Sequence, residues 1–524
     1  MPTNLNYTVF AMTAKSKAPI SPASNLYLSV FLCIILCFFY YFFIHFSPAY
    51  AIEQTSYIQV PAATDLRTRF SDGRHSVEEL VKMAKERGIE ILIINDHHVY
   101  SLEYGIWPFE KIIKKKVEDS SVLKNGIESY LEEVEMISNK YPEIIIIPGL
   151  ESSPFYYWTG NIFSNNLTAH KWENHIGIMG LERAEDIKGL PTLNGYFSIR
   201  YYNKYIYNTV FLSLSFILGI LLIQWLGVYR YAGILICIFS ILFIINFHPF
   251  QSSPFDQYHG DEGVAPWQET IDYVNSKGGI TIWHHMESVS GIGKKGPISV
   301  NTPPHPEDLL KTYGYTGFQS IYEDTIHVAD PGKEWDIVLS QYCAGNRKRA
   351  VWGIGGLDYH GEGESGIKLQ DVKTIFFLKE KTKDAVYNAL KNGKTYSISQ
   401  QGKDYRLVLD EFSISDSSGN NKAISGDEIE VNGNPNIYIK VSTTNNMKDT
   451  VEVHLIRKGE VIKRYSGETP LEITYSDKNL LNSDGGKFTQ GEKIYYRLNI
   501  QGKSSNYIIS NPIFVKLLPI RIED

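Results

Sequence analysis

The chain has 524 residues, which sets an expectation of about three to four domains. Lys and Arg number 51 against 58 Asp and Glu, and the net charge of −7 argues against a polyanion-binding protein, which is usually basic. At 43% hydrophobic and 21% charged the composition is globular rather than disordered, and four cysteines exclude a disulfide scaffold or a cysteine-based zinc module.

The mean hydropathy of −0.19 suggests a soluble protein, but it averages over very uneven segments. Residues 26–44 carry no charge and are long enough to cross a bilayer as a helix. Lys15 and Lys17 precede them, and the next basic residue is Arg67, so the N-terminus is expected inside and the following chain outside. Residues 47–51 form a small-x-small pattern open to signal peptidase. Residues 1–51 are therefore a cleaved signal or an uncleaved anchor, and the length of the apolar run favours the anchor.

Beyond this segment, short apolar runs alternate with amphipathic helices. The runs are residues 89–94, 144–147, 176–179, 280–283, 318–322, 351–354 and 374–378. They are continuous rather than alternating, as expected of parallel strands buried on both faces. Ser76 and Glu79 form a capping box, Val77, Leu80, Val81 and Ala84 share one helix face, and Gly88 ends that helix. Residues 268–277 and 382–391 read as two further helices. This α/β pattern spans residues 60–195 and 251–400 and implies a barrel or a wound sheet.

Between those two parts, residues 205–229 and 231–247 are uncharged and separated by Arg230, which reads as a transmembrane helical hairpin within residues 205–250. From residue 401 to 524 short strands are separated by turns rich in Gly, Asn, Asp and Ser, the pattern of an all-β sandwich.

In β/α folds the working residues sit just beyond the strand ends. Those positions hold Asp96, His97 and His98, then Glu151, His175 at the start of its run, His284 and His285, and finally Asp358 and His360. Imidazoles and carboxylates without thiolate suit Zn, Mn or Fe. Residues 154–160 could wall a substrate pocket. Lys294 and Lys295 read as a solvated loop, with contact to a phosphate or a lipid headgroup as the alternative.

These stretches resemble the PHP (polymerase and histidinol phosphatase) superfamily, whose pattern runs D-L-H-x-H, S-D-G, T-D-H, P-G-x-E, A-H-P and G-S-D-x-H. Here the corresponding segments are Asp65-Leu66-Arg67-Thr68-Arg69, Ser71-Asp72-Gly73, Asn95-Asp96-His97, Pro148-Gly149-Leu150-Glu151, His284-His285-Met286 and Gly356-Leu357-Asp358-Tyr359-His360. The resemblance implies a distorted seven-stranded β/α barrel, interrupted by the hairpin and followed by the sandwich. It also implies a membrane-anchored phosphoesterase that uses a metal-activated water.

Carried over, His97, His175 and His285 would bind metal, Glu151 would bridge, and Asp358 and His360 would complete a site for two divalent ions. The pattern's first two histidines are missing. In one register Arg67 and Arg69 replace them; anchored on Ser71-Asp72-Gly73, Asp65 takes the first place as a ligand and Arg67 the second. A guanidinium has no lone pair for a cation but can bind phosphate, so Arg67 and Arg69 are expected, with His97, in catalysis. The substrate would be a phosphorylated small molecule or envelope component on the extracytoplasmic side of the bilayer, with no nucleic acid. The alternative is a degenerate barrel that binds a ligand or scaffolds a membrane complex, its arginines paired with Asp358 or Glu151.

Overall fold

The computed structural model describes residues 57–518, apart from 323–326, 363–366, 401–404, 417–418, 420, 479, 481–487, 490 and 504–505. The N-terminal span at 26–44 lies outside the described residues.

The protein is a mixed α/β structure. The strands that matter to the site are β1 (Ile58–Leu66), β2 (Ile91–His97), β3 (Ile145–Ser152), β4 (Ile176–Met179), β5 (Ile280–Trp283), β6 (Gly317–Tyr322), β7 (Trp352–Gly356), β8 (Val372–Leu378) and β9 (Thr395–Gln400). They lie side by side in the order β7-β6-β5-β4-β3-β2-β1-β8-β9. The chain just after β7 returns to the end of β1: Leu357 N–H donates to Thr64 O, Tyr359 N–H to Asp65 O and Arg67 N–H to Tyr359 O. These bonds bring together the two ends of the run from β1 to β7.

β1 is absent from the apolar runs expected from sequence. Its sequence, IQVPAATDL, has small residues where Ala62, Ala63 and Thr64 are buried, so hydropathy does not mark it. A second departure concerns direction. β4 is antiparallel to both β3 and β5, and β8 is antiparallel to β1, whereas parallel strands were expected. A continuous apolar run reports burial on two faces and carries no directional information.

The helices follow their local signals. In α1 (Val77–Glu86) the Ser76 side chain accepts from Glu79 N–H while Glu79 accepts from Ser76 N–H, and Val77, Leu80, Val81 and Ala84 are buried. α2 (Ile127–Lys140) lies between β2 and β3 in sequence. α3 (Tyr202–Ile223) and α4 (Val228–Asn246) form the hairpin. Both are long and apolar enough to cross a membrane, and only 6% and 17% of their apolar windows are buried, unlike core helices. Further on come α5 (Ala265–Ser276), α6 (Glu334–Cys343) and α7 (Lys383–Lys391), capped by Thr382.

Strand pairing continues past residue 400. β9 pairs antiparallel with Asn506–Ser510, which leads on to Lys493–Gln501, Thr450–Arg457 and Glu460–Glu468. A second sheet contains Lys422–Ile424, Leu407–Ser415, Asn436–Thr443 and Leu471–Ser476. Asn436–Thr443 alternates buried and half-buried residues, as a strand with one face on a core should. Leu409, Ile439 and Val441 of this sheet share a core with Val453, Leu455 and Ile494 of the other.

Candidate metal centre

The ends of β1, β2, β3, β5 and β7 meet at one rim. Because β4 is antiparallel, its start reaches the same rim, and this brings in His175. The rim encloses a cavity of about 200 Å³ lined by Asp72, His97, Glu151, Glu173, His175, His285, Asp358 and His360, with Tyr100, His305 and Thr302 in its wall.

Glu151, fully buried at the end of β3, is the hub. Its Oε1 lies 2.8 Å from His284 Nδ1 and 3.2 Å from His285 Nε2. Its Oε2 lies 3.2 Å from both His97 Nδ1 and His175 Nδ1, and 2.5 Å from Arg67 Nη2. Burial would raise the Glu151 pKa, but Arg67 and the histidines hold it well below the usual carboxylate range. Despite this crowding Oε2 accepts no aligned hydrogen bond among the described residues. A buried carboxylate oxygen left in that state, ringed by imidazoles, is chemically suited to a cation.

Three sets of donors could each hold an ion: Asp72, His97 and His360; His97, Glu151 and His175; and Glu151, His284 and His285. In the first, Asp72 Oδ2 lies 3.2 Å from His360 Nε2 and 3.5 Å from His97 Nε2. Burial lowers the basicity of His360, but Asp72 and Asp358 more than offset this and raise its pKa to about 9. His284 is likewise raised to about 9, against burial, by Asp65 and Glu151. His175 is pushed well below its ordinary value, first by burial and then by His285, His97 and Arg67, with Glu151 opposing.

A fourth set, Asp65, Glu151 and Asp358, surrounds a cation of the chain itself. The Arg67 guanidinium sits among these carboxylates, with Nη1 2.6 Å from Asp65 Oδ1 and Nη2 2.8 Å from Asp358 Oδ1. Nη1 also donates to Asn95 O at 2.6 Å. Asp65 is the extra residue of a bulge in β1 with φ +65°, which turns its carboxylate inward. Gln319 Nε2 donates to its other oxygen at 2.7 Å.

Arg67 therefore faces carboxylates where a phosphate contact was expected, and Asp65 and Asp358, expected as metal ligands, face Arg67. Arg69 is not at the rim: its guanidinium lies 2.9 Å from Glu79 on α1 and donates to Arg74 O. β1 ends at Leu66 and the chain turns at Arg69, so the turn carries this second arginine away from the rim toward α1. His97, Glu151, His175, His285 and His360 come together as the strand-end positions suggested. Asp96 does a different job, accepting from Thr68 N–H, Thr68 Oγ1 and Ser71 Oγ, and so pins the loop that carries Arg67 and Asp72. Glu173, Tyr100 and Gln319 were missed. Glu173 is two residues before His175, a spacing that could have flagged it once β4 was known to start at the rim.

No family model matches the chain, and no curated protein matches it. Among solved structures it is similar to a two-domain protein from Bacteroides vulgatus containing a predicted PHP-like metal-dependent phosphoesterase, at 10% identity and a TM-score of 0.34, over 88% of this chain and 96% of that one. It is also similar to a protein from Bifidobacterium adolescentis, likewise predicted to be a metal-dependent phosphoesterase, at 15% identity and a TM-score of 0.28, over 63% and 95%. A third similar structure is an amidohydrolase from Chromobacterium violaceum, at 12% identity and a TM-score of 0.25, over 58% and 88%. Likeness of this extent assigns no residue a role, and the chemistry must be read from the site itself.

Proposed function

We propose that the protein is a membrane-bound, metal-dependent phosphoric ester hydrolase whose β1–β7 run forms a distorted β/α barrel. The observation that carries this reading is the convergence of His97, His175, His284 and His285 on buried Glu151, with Asp72 and His360 alongside. His97, Glu151, His175 and His285 would hold one divalent ion, and Asp72 and His360 would help to hold a second. Zn, Mn or Fe in these positions supplies Lewis acidity toward a phosphoryl oxygen and lowers the pKa of water. Arg67 acts as a fixed cation in the place where a further ion would otherwise sit. It holds Glu151, Asp65 and Asp358 in position and keeps Glu151 and Asp65 charged. His284 orients Glu151 from the side away from the cavity. Two exposed apolar helices support membrane attachment, because a patch of that size is rarely left in water.

One observation favours a second reading. The three ion pairs of Arg67 neutralise carboxylates that would otherwise attract metal, as in a barrel that has become a binding scaffold. Elemental analysis of the purified full-length protein, with hydrolysis of a generic phosphate monoester and diester under added Mn or Zn, separates the two. The enzyme reading expects bound metal and turnover that falls by at least about 100-fold in His285→Ala. Absence of metal, together with activity equal in wild type and His285→Ala, would leave the scaffold.

A further inference from the structure

Next to the polar cavity lies a larger, apolar one of about 600 Å³, a size usual for small-molecule sites. Tyr100 lines both cavities. One face of its ring stacks on His97 at 4.1 Å and the ring also stacks on Trp172 at 4.8 Å, so an aromatic wall runs from the metal centre into the groove. Leu102, Ile113, Val117 and Ile298 line the groove beyond that wall. At the junction, Lys295 Nζ lies 4.0 Å from the Tyr100 ring centre and 4.1 Å from that of Trp172, with Asp119 at 3.3 Å. Lys114, paired with Glu103 at 2.7 Å, and Lys115 also line the groove.

The groove is also tied to the membrane hairpin. Its floor includes the two-stranded ribbon Ser101–Gly105 and Lys114–Glu118. The tip of that ribbon meets the end of α4: Phe109 stacks on Phe243 at 5.1 Å, Lys111 N–H donates to Asn246 Oδ1 at 2.9 Å, and Asn246 Nδ2 donates to Pro108 O. Beside it Trp107 is 81% exposed, and Phe163 in a neighbouring loop is 87% exposed. Tryptophan is favoured at a bilayer interface.

We infer that the substrate is a long-chain amphiphile, a phosphate ester of a membrane lipid, whose phosphate enters the polar cavity while its hydrocarbon chain lies in the Leu102–Val117 groove. This rests on the hydrolase reading above and names its substrate class. The polar cavity is small and carries the imidazoles and carboxylates; the adjoining groove is apolar and opens where the chain meets the hairpin. The lysines match an anionic headgroup, and continuity with the hairpin favours a lipid over a water-soluble metabolite.

The test uses the full-length protein in amphipol with Mn. Quenching of tryptophan fluorescence by bromododecyl phosphonate reports binding, with butyl phosphonate as a competitor. Affinity for unbranched alkyl phosphonates should rise about fourfold per methylene until the groove is full. Ile113→Asp and Val117→Asp should each weaken bromododecyl phosphonate by about tenfold or more, leaving butyl phosphonate binding and turnover of a short soluble ester unchanged. Affinity independent of chain length would overturn the assignment, as would bromododecane binding as tightly as its phosphonate, which would mean hydrocarbon partitioning only. Turnover of a short ester with no chain preference removes the lipid and keeps the hydrolase. Chain-dependent phosphonate binding with no turnover of any ester removes the hydrolase instead.

Discussion

Arg67 is a fully buried cation among Asp65, Glu151 and Asp358, and it stays charged because those carboxylates outweigh its burial. Truncation to Arg67→Ala leaves three carboxylates facing one another. Loss of one partner in a buried ion pair costs roughly 3–5 kcal/mol, so the melting temperature of the variant should drop sharply. A divalent cation can occupy the vacated space, so Mn or Zn should raise the variant's melting temperature more than that of the wild type. Equal metal responses in the two would show that Arg67 does not stand in a cation position. Lys373 on β8, which does not line the polar cavity, offers a pH test. Burial, reinforced by Arg406 and opposed by Asp371, lowers its pKa to about 7, and its Nζ donates to Gln370 O. An unfolded lysine titrates near about 10.4. Between these values the unfolded chain binds the extra proton, so this group makes stability rise with pH from about 7 to 10 and leaves it lowest below 7. Lys373→Met should flatten that slope in denaturant titrations; a slope identical to wild type would contradict the assignment. At this scale the sequence marks Arg67 as unusual, since an arginine stands where an imidazole is expected. Its three partners come from β1, from β3 and from the loop after β7, and the bulge at Asp65 turns one of them inward.

Among the elements, the hairpin shows its construction most directly. A Cβ on Gly219 would lie 2.6 Å from Cys237 Sγ and 2.9 Å from Gly233 O, and a Cβ on Gly233 would lie 2.6 Å from Gly219 O. The two backbones therefore touch at these glycines, because small residues let helices approach closely. Gly219→Leu must push α3 from α4. Alkylation of Cys237 in membranes, followed by mass spectrometry, should become faster by several-fold; an unchanged rate would mean the helices do not pack through this contact. The helix signals were legible because they are local: a capping box, a four-residue apolar stripe and a terminal glycine lie within one segment. The direction of β4 was not legible, because it depends on how the chain between β3 and β4 crosses the rim. That direction is what carries His175 and Glu173 into the cavity.

Over the whole molecule, the α/β part and the C-terminal strands are joined through buried polar contacts as well as strand pairing. Arg497 donates to both oxygens of Asp336 on α6, at 2.8 and 2.7 Å, with Tyr495 on the same carboxylate. Asn511 accepts from Gly353 N–H on β7 and donates to Gly353 O and Thr395 O. Calorimetry on the full-length protein should accordingly show one cooperative transition for residues 57–518, and Arg497→Ala should lower its stability by about 3–5 kcal/mol by leaving Asp336 unpaired. Two resolved transitions would mean that the sandwich unfolds independently. The basic residues before residue 26 predict that a reporter fused after Asp524 lies outside the cytoplasm; a cytoplasmic signal would overturn the charge argument.

Sequence alone determined what is encoded locally or by composition: the uncharged spans, the capped helices, the short strands after residue 400, and a series of imidazoles and carboxylates at strand ends. Tertiary structure decided the rest. It set β4 antiparallel, placed Arg67 among Asp65, Glu151 and Asp358, sent Arg69 to Glu79, and laid an apolar groove against the polar cavity and the hairpin. Each of these depends on contacts between residues distant in the chain, and periodicity, capping and composition carry no term for such contacts.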